Sequence, residues 1–172
     1  MPFDGEQSQG VFGAIRFDKY LDNGVTLTME GWHAQGSVGV VMVHAQRTYS
    51  PNRDAKRPWA RFNVSNERFT ASVNYDGHFN LTGYQGLSTT VNFVNNSYKL
   101  TAEGQANFTP HPDLQLVVGG TVGVEEMDSF DECTGTQSFL FRPITADREG
   151  VFGQASWDLS ERVTLVGALR GD

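Results

Sequence analysis

The densest chemistry in the chain is acidic. Glu125, Glu126, Asp128, Asp131 and Glu132 fall within the segment 125–133, which ends at the single cysteine, Cys133. Carboxylates this close can offer oxygen ligands to a hard cation, or meet a cationic or metal-bearing substrate. Their order lacks the Asp-x-Asp-x-Asp-Gly spacing of a calcium loop. The segment is therefore expected to be a charged, solvated loop whose five carboxylates are candidate ligand-facing groups. His33, His44, His78 and His111 are dispersed along the chain, and no histidine, serine and carboxylate form a pattern that joins nucleophile to base. No catalytic residue, bound metal or cofactor is expected, so the chain is not read as an enzyme. One cysteine allows neither an intrachain disulfide nor a zinc site.

A second set of chemical groups alternates with apolar residues. Arg16, Asp18, Glu30, Arg61, Lys99, Glu103 and Arg170 each lie next to apolar neighbours in sequence, which puts them on the opposite face of an extended strand. Their mixed signs fit paired charges along a hydrated wall or contacts with a domain lying against it.

Alternation with period two recurs throughout, and no convincing window carries the spacing of an amphipathic helix. The chain has 19 glycines in 172 residues, above the roughly 7% of average usage. It reads as all-β, with eight strands in four hairpins. Strands over 11–20 and 25–34 flank Leu21-Asp22-Asn23-Gly24, a strong turn signal. Strands over 59–65 and 69–76 meet at Asn66-Glu67, strands over 98–108 and 114–125 at 109–113, and strands over 151–159 and 163–172 at 160–162. The links between hairpins (35–58, 77–97 and 126–149) are each about twenty residues by this division, longer than most loops of a compact domain. All six prolines fall outside the proposed strands.

Short turns alternating with long loops is the pattern of outer-membrane β-barrels, with short periplasmic turns and longer extracellular loops. The net charge of -7 argues against a nucleic-acid partner, which calls for a basic surface. The chain has no apolar run long enough for a transmembrane helix, which excludes helical spans only, since a membrane strand needs about 9 to 11 residues. The apolar register would then face lipid. Lys19 lies on that register but at a turn, where a charge costs about 0 to 1 kcal/mol rather than the 2 to 4 kcal/mol of the midplane. Phe17, Phe69, Tyr75, Tyr98, Phe108 and Trp157 occupy the same register near strand ends, like an aromatic girdle. Trp32, Phe152 and Val117 fall on the opposite register and call for a bulge or for contact with something filling the lumen. The apolar stretch Val38–Val43 inside the first long link is unexplained.

The segment 150–172, with Gly-Val-Phe-Gly-Gln opening one strand, a short turn, and a second strand ending in Leu-Arg-Gly-Asp, resembles a barrel hairpin of TonB-dependent outer-membrane receptors. Arg16–Gly31, Arg57-Pro58-Trp59-Ala60-Arg61-Phe62-Asn63 and 116–120 are also similar to barrel strands of that family. The resemblance implies a plugged barrel of about 22 strands that imports a scarce nutrient such as a ferric siderophore. In such a receptor the partners are outer-membrane lipid, a plug domain and TonB, and the location is the Gram-negative outer membrane. No signal peptide, TonB box or plug precedes the strands, so the expectation is a polar extension over 1–10 followed by a partial barrel over 11–172. Two alternatives stay open. One is a complete eight-stranded outer-membrane barrel with a structural or adhesive role; the other is a soluble β-sandwich that binds carbohydrate.

Overall fold

The computed structural model describes residues 9–37, 55–85, 92–131, 135–137 and 140–172. It is all-β and antiparallel, with no helix among these residues. Eight strands make one sheet: β1 (Gln9–Tyr20), β2 (Thr26–Ser37), β3 (Ala55–Ser65), β4 (Phe69–Gln85), β5 (Asn92–His111), β6 (Leu114–Asp128), β9 (Ile144–Ser160) and β10 (Val163–Gly171). β7 (Phe130–Asp131) and β8 (Thr136–Gln137) form a separate two-stranded pair between β6 and β9. Each long strand pairs with its predecessor in the order β1-β2-β3-β4-β5-β6-β9-β10. The sheet is open, with β1 and β10 as its edges.

The four tight turns sit where their residue types call for them. Gly24 adopts φ +77°, a left-handed conformation that costs other residues about 1 to 2 kcal/mol. It lets the Leu21 amide reach the Val25 carbonyl at 2.9 Å. In the second turn the Asn66 side-chain oxygen accepts from the amides of Arg68 and Phe69, both at 2.8 Å, an asparagine standing in for a backbone acceptor. The Asp113 amide donates to His111 Nδ1 at 3.3 Å in the third, and the Arg162 amide to Ser160 Oγ at 3.4 Å in the fourth.

The strands outrun the alternating segments at their far ends. β4 and β5 continue through most of 77–97, with a register shift between Asn80 and Tyr84, so that link is mostly ladder rather than loop. Glu125, Glu126 and Asp128 likewise belong to β6. Alternation reports where the two faces of a strand meet different surroundings; beyond that zone hydrogen bonding continues while the pattern fades. Val38–Val43, Glu132 and Cys133 lie outside the described residues.

Two prolines also fall inside strands, against expectation. Pro58 lies in β3 opposite His33 of β2, but the ladder to β4 has a gap between Lys56↔Phe79 and Trp59↔Asp76. Proline has no amide to donate there. Gly77 receives its ring: a Cβ on Gly77 would stand 3.0 Å from Pro58 Cγ. Pro110 lies in β5 where the pairing with β6 shifts between Phe108 and His111.

Register fixes two chemically distinct faces. Phe17, Met29, Phe62, Val73, Ala102 and Val122 are successive cross-strand neighbours on one of them, and all except Ala102 are large apolar residues left exposed. The other face carries Arg16, Glu30, Arg61, Asn74 and Thr101 at the adjoining level. The strands are also staggered in one direction. Phe69 pairs with Ala106, leaving Asn107–His111 below it, and Leu114 pairs with Trp157, leaving Asp158–Ser160 below that.

Candidate functional site

The polar face is an array of paired charges. Arg16 donates from Nε to Asp18 at 2.7 Å and from Nη1 to Glu30 at 2.7 Å. The Thr28 hydroxyl donates to Asp18 at 2.7 Å. Farther along the sheet, Glu125 accepts from Lys99 Nζ at 3.0 Å and from Arg148 Nη2 at 2.9 Å. Arg170 Nε bridges both oxygens of Asp172 at 2.9 and 2.8 Å. Gly150 makes room for this last pair, since a Cβ there would lie 2.5 Å from an Asp172 oxygen. Of the lumen-register residues anticipated from the pattern, Arg16, Asp18 and Glu30 form one cluster, while Lys99 belongs to a second around Glu125. Arg170 joins Asp172. Arg61 lies opposite Glu30, yet its Nε is buried without a hydrogen-bond partner, as is the Asn63 side-chain oxygen on the same face. Glu103 pairs across the sheet with Ser72 and Thr121.

The acidic segment does not converge. Glu125 and Glu126 are consecutive in a strand and point to opposite faces. Glu126 accepts from the Tyr98 hydroxyl at 3.1 Å on the apolar register. Asp128 accepts from the Phe130 amide at 3.0 Å and from Gln137 Nε2 at 2.9 Å. Asp131 is part of β7. No group of three or more His, Cys, Asp or Glu among the described residues could hold a metal ion. Around Asp128 the chain makes a local lock instead. Ser129, fully buried, donates from its hydroxyl to Gln137 Oε1 at 2.7 Å and accepts the Leu140 amide at 3.0 Å.

The aromatic residues on the polar face need no bulge. Trp32 pairs with Ala14 and with Trp59 in uninterrupted register, and the two indoles stack with centroids 6.3 Å apart and planes 17° apart. Phe12 adds a third ring 5.9 Å from Trp32. Phe152 lies opposite Gly119, and its ring occupies the space a side chain at Gly119 would fill. Val117 also keeps its register, opposite Gln154.

One level of this face connects the rings to a cavity. Trp59 pairs with Asp76, Asp76 with Lys99, Lys99 with Glu125, and Glu125 with Ala146. A cavity of about 410 Å³ lies over this row, lined by Arg57, Asp76, His78, Lys99, Met127 and Ile144 among others. Sequence reasoning missed this site, although the signal was present: Trp59 lies one residue beyond Pro58 and shares the register of Arg57 and Arg61. The volume suits a small ligand, and the lining mixes charges of both signs with an apolar wall. No family model matches the chain, and neither a curated protein nor a solved structure matches it.

Proposed function

We propose that the chain is part of the transmembrane wall of an outer-membrane receptor of the TonB-dependent kind, taking up a scarce nutrient such as a ferric siderophore. The observation that carries this reading is the apolar face. On β5 it runs from Tyr98 through Leu100, Ala102, Gly104 and Ala106 to Phe108. That run spans about 33 Å along the strand and about 25 Å in height at a tilt near 40°, the height of an outer-membrane apolar band. Its upper limit coincides with Tyr75, stacked 6.3 Å from Tyr98, and with Glu126, bonded to that tyrosine. Phe69, Phe108 and Trp157 lie toward the turns, as an interfacial girdle requires.

Cover for this face is the physical issue. Leu169 is 84% exposed and Ile15 77%, and β7 and β8, at two residues each, are too short to form a second layer. Lipid chains would cover the apolar face without a partner sheet. The unidirectional stagger supports a curved wall as well, because a barrel closes only with a net shear between strands. The polar face would then look inward, toward a plug domain, with TonB supplying energy from the periplasm. Arg61 Nε and the Asn63 oxygen, buried without partners, are groups that such a domain could satisfy.

Fluorescence quenching by brominated lipid chains tests the wall. The chain has three tryptophans, of which Trp157 lies on the apolar register and Trp32 and Trp59 on the other. With Trp32→Phe and Trp59→Phe, the remaining Trp157 emission should be strongly quenched in brominated vesicles; with Trp157→Phe alone, the remaining emission should not. Equal quenching of both proteins would sink the reading. In cells, disrupting this segment should abolish uptake of the cognate nutrient to the same degree as loss of TonB.

A further inference from the structure

We propose that the aromatic row Phe12-Trp32-Trp59, continuing into the Arg57–Asp76–Lys99 cleft, is a binding site for a neutral oligosaccharide. The proposal goes beyond the barrel-wall reading and does not rest on it; it needs only that this face be open to solvent at the long-loop end.

Three features specify the ligand. First, the rings are where sheet packing does not call for them. They sit on the face that carries the ion pairs, with Phe12 66% exposed and both indoles part-buried. Aromatic residues that keep an apolar surface in contact with water are natural stacking platforms. Second, the rings come from three adjacent strands. Centroid spacings of 5.9 and 6.3 Å offer one ring after another, comparable to successive pyranose rings of a sugar chain, whose C–H faces are apolar and whose edges carry hydroxyls. From Trp32 to Ala146 the row crosses five strand spacings, about 24 Å, which is long for a single planar ligand and suited to a short polymer.

Third, the cleft beyond the rings offers hydrogen bonds from groups of both signs. Arg57 and Lys99 stand against Asp76 and Glu125, and a third lining carboxylate, Glu126, accepts from the Tyr98 hydroxyl. Arg57 and Asp76 both line the cleft, acting on His78 with opposite sign, and between them offer donors and acceptors to hydroxyls. An anionic or cationic ligand would meet a repelling group at each step, whereas a hydroxyl both donates to a carboxylate and accepts from a guanidinium. Met127 and Ile144, opposite one another across β6 and β9, close the far side with an apolar wall.

The first measurement uses the unmutated chain in detergent micelles or vesicles. Oxidation by N-bromosuccinimide, mapped by peptide mass, is followed with and without a panel of malto-, cello-, xylo- and chito-oligosaccharides. One of these should protect Trp32 and Trp59 while Trp157 oxidises unchanged. The second measurement is a titration of Trp157→Phe protein, whose remaining tryptophans both report on the site. The active sugar should give a saturable emission change. Trp59→Ala should weaken its binding about tenfold, Trp59→Phe should restore most of the loss by keeping a flat ring, and Asp76→Asn should weaken binding by a smaller factor. Protection by no sugar of the panel at millimolar concentration would overturn the proposal. Binding that survives Trp32→Ala with Trp59→Ala would also overturn it, as would protection of both indoles by another protein domain with no sugar added. Because quenching of Trp157 by brominated lipid is read separately, failure of the barrel-wall reading and failure of this one are distinguishable.

Discussion

Placing an arginine at Val73 separates a lipid-facing sheet from a water-facing one. Val73 is 45% exposed and lies between Phe62 of β3 and Ala102 of β5. It stands about 13 Å along β4 from Phe69, hence about 10 Å above the turn-side edge of a tilted band about 25 Å high. That is close to the midplane, where an outward arginine costs about 2 to 4 kcal/mol. Asn74, its neighbour in sequence, faces the opposite side, across from Arg61 and Thr101, and bonds Ser72; arginine there adds a like charge beside Arg61 and should cost no more than about 1 kcal/mol. Urea titration of the chain in phospholipid vesicles, followed by tryptophan emission and by heat-modifiable electrophoretic mobility, reads the difference. A loss of about 2 kcal/mol for Val73→Arg lowers the folded-to-unfolded ratio roughly thirtyfold. If the face met water instead, Val73→Arg would be a surface substitution and as mild as Asn74→Arg. Two variants within 0.5 kcal/mol of each other would therefore refute the assignment of the apolar face to lipid.

Other positions give independent checks. Gly119→Ala puts a Cβ 2.7 Å from the Gly104 carbonyl oxygen and against the Phe152 ring, so it should cost about 1 to 3 kcal/mol. Adding Phe152→Ala should recover only part, since the Gly104 oxygen is backbone; full recovery in a double-mutant cycle would contradict this geometry. Gly24→Ala should cost about 1 to 2 kcal/mol through its positive φ, and Gly24→Asn less, measured as a shift in the urea midpoint. Glu125→Gln removes the negative charge shared by Lys99 and Arg148, but both cations are exposed, at 45% and 62%. Its effect should stay below about 1 kcal/mol and vanish in 1 M salt.

Much of the fold was legible because its local rules are strong. Asn23-Gly24 and Asn66 specify tight turns through their own backbone preferences and side-chain acceptors, and the hairpins form there. Alternation from Tyr98 to Phe108 defines a strand and its two faces without reference to any neighbour. The upper reaches of β4 and β5 were not legible, since Gly77, His78 and Asn80 carry no contrast between faces; only the partner strand tells them to stay extended. Pro58 reads as a strand breaker, and it does break the ladder to β4, but the ladder to β2 passes through it.

The candidate site divides in the same way. Residue types alone pointed to the carboxylates of 125–133, whereas the strand geometry of β6 sends Glu125 and Glu126 to opposite faces and scatters the charge. The sequence by itself determined the all-β class, the four short turns and which residues share a face, because turn chemistry and a two-residue period act over a few neighbours. Tertiary structure alone decided what lies beside what. Trp32 meets Trp59 across 27 positions of chain, Phe152 finds the bare backbone of Gly119, and Glu125 collects cations from two other strands. Such meetings depend on strand register, and register is a property of pairs of strands that no single segment contains.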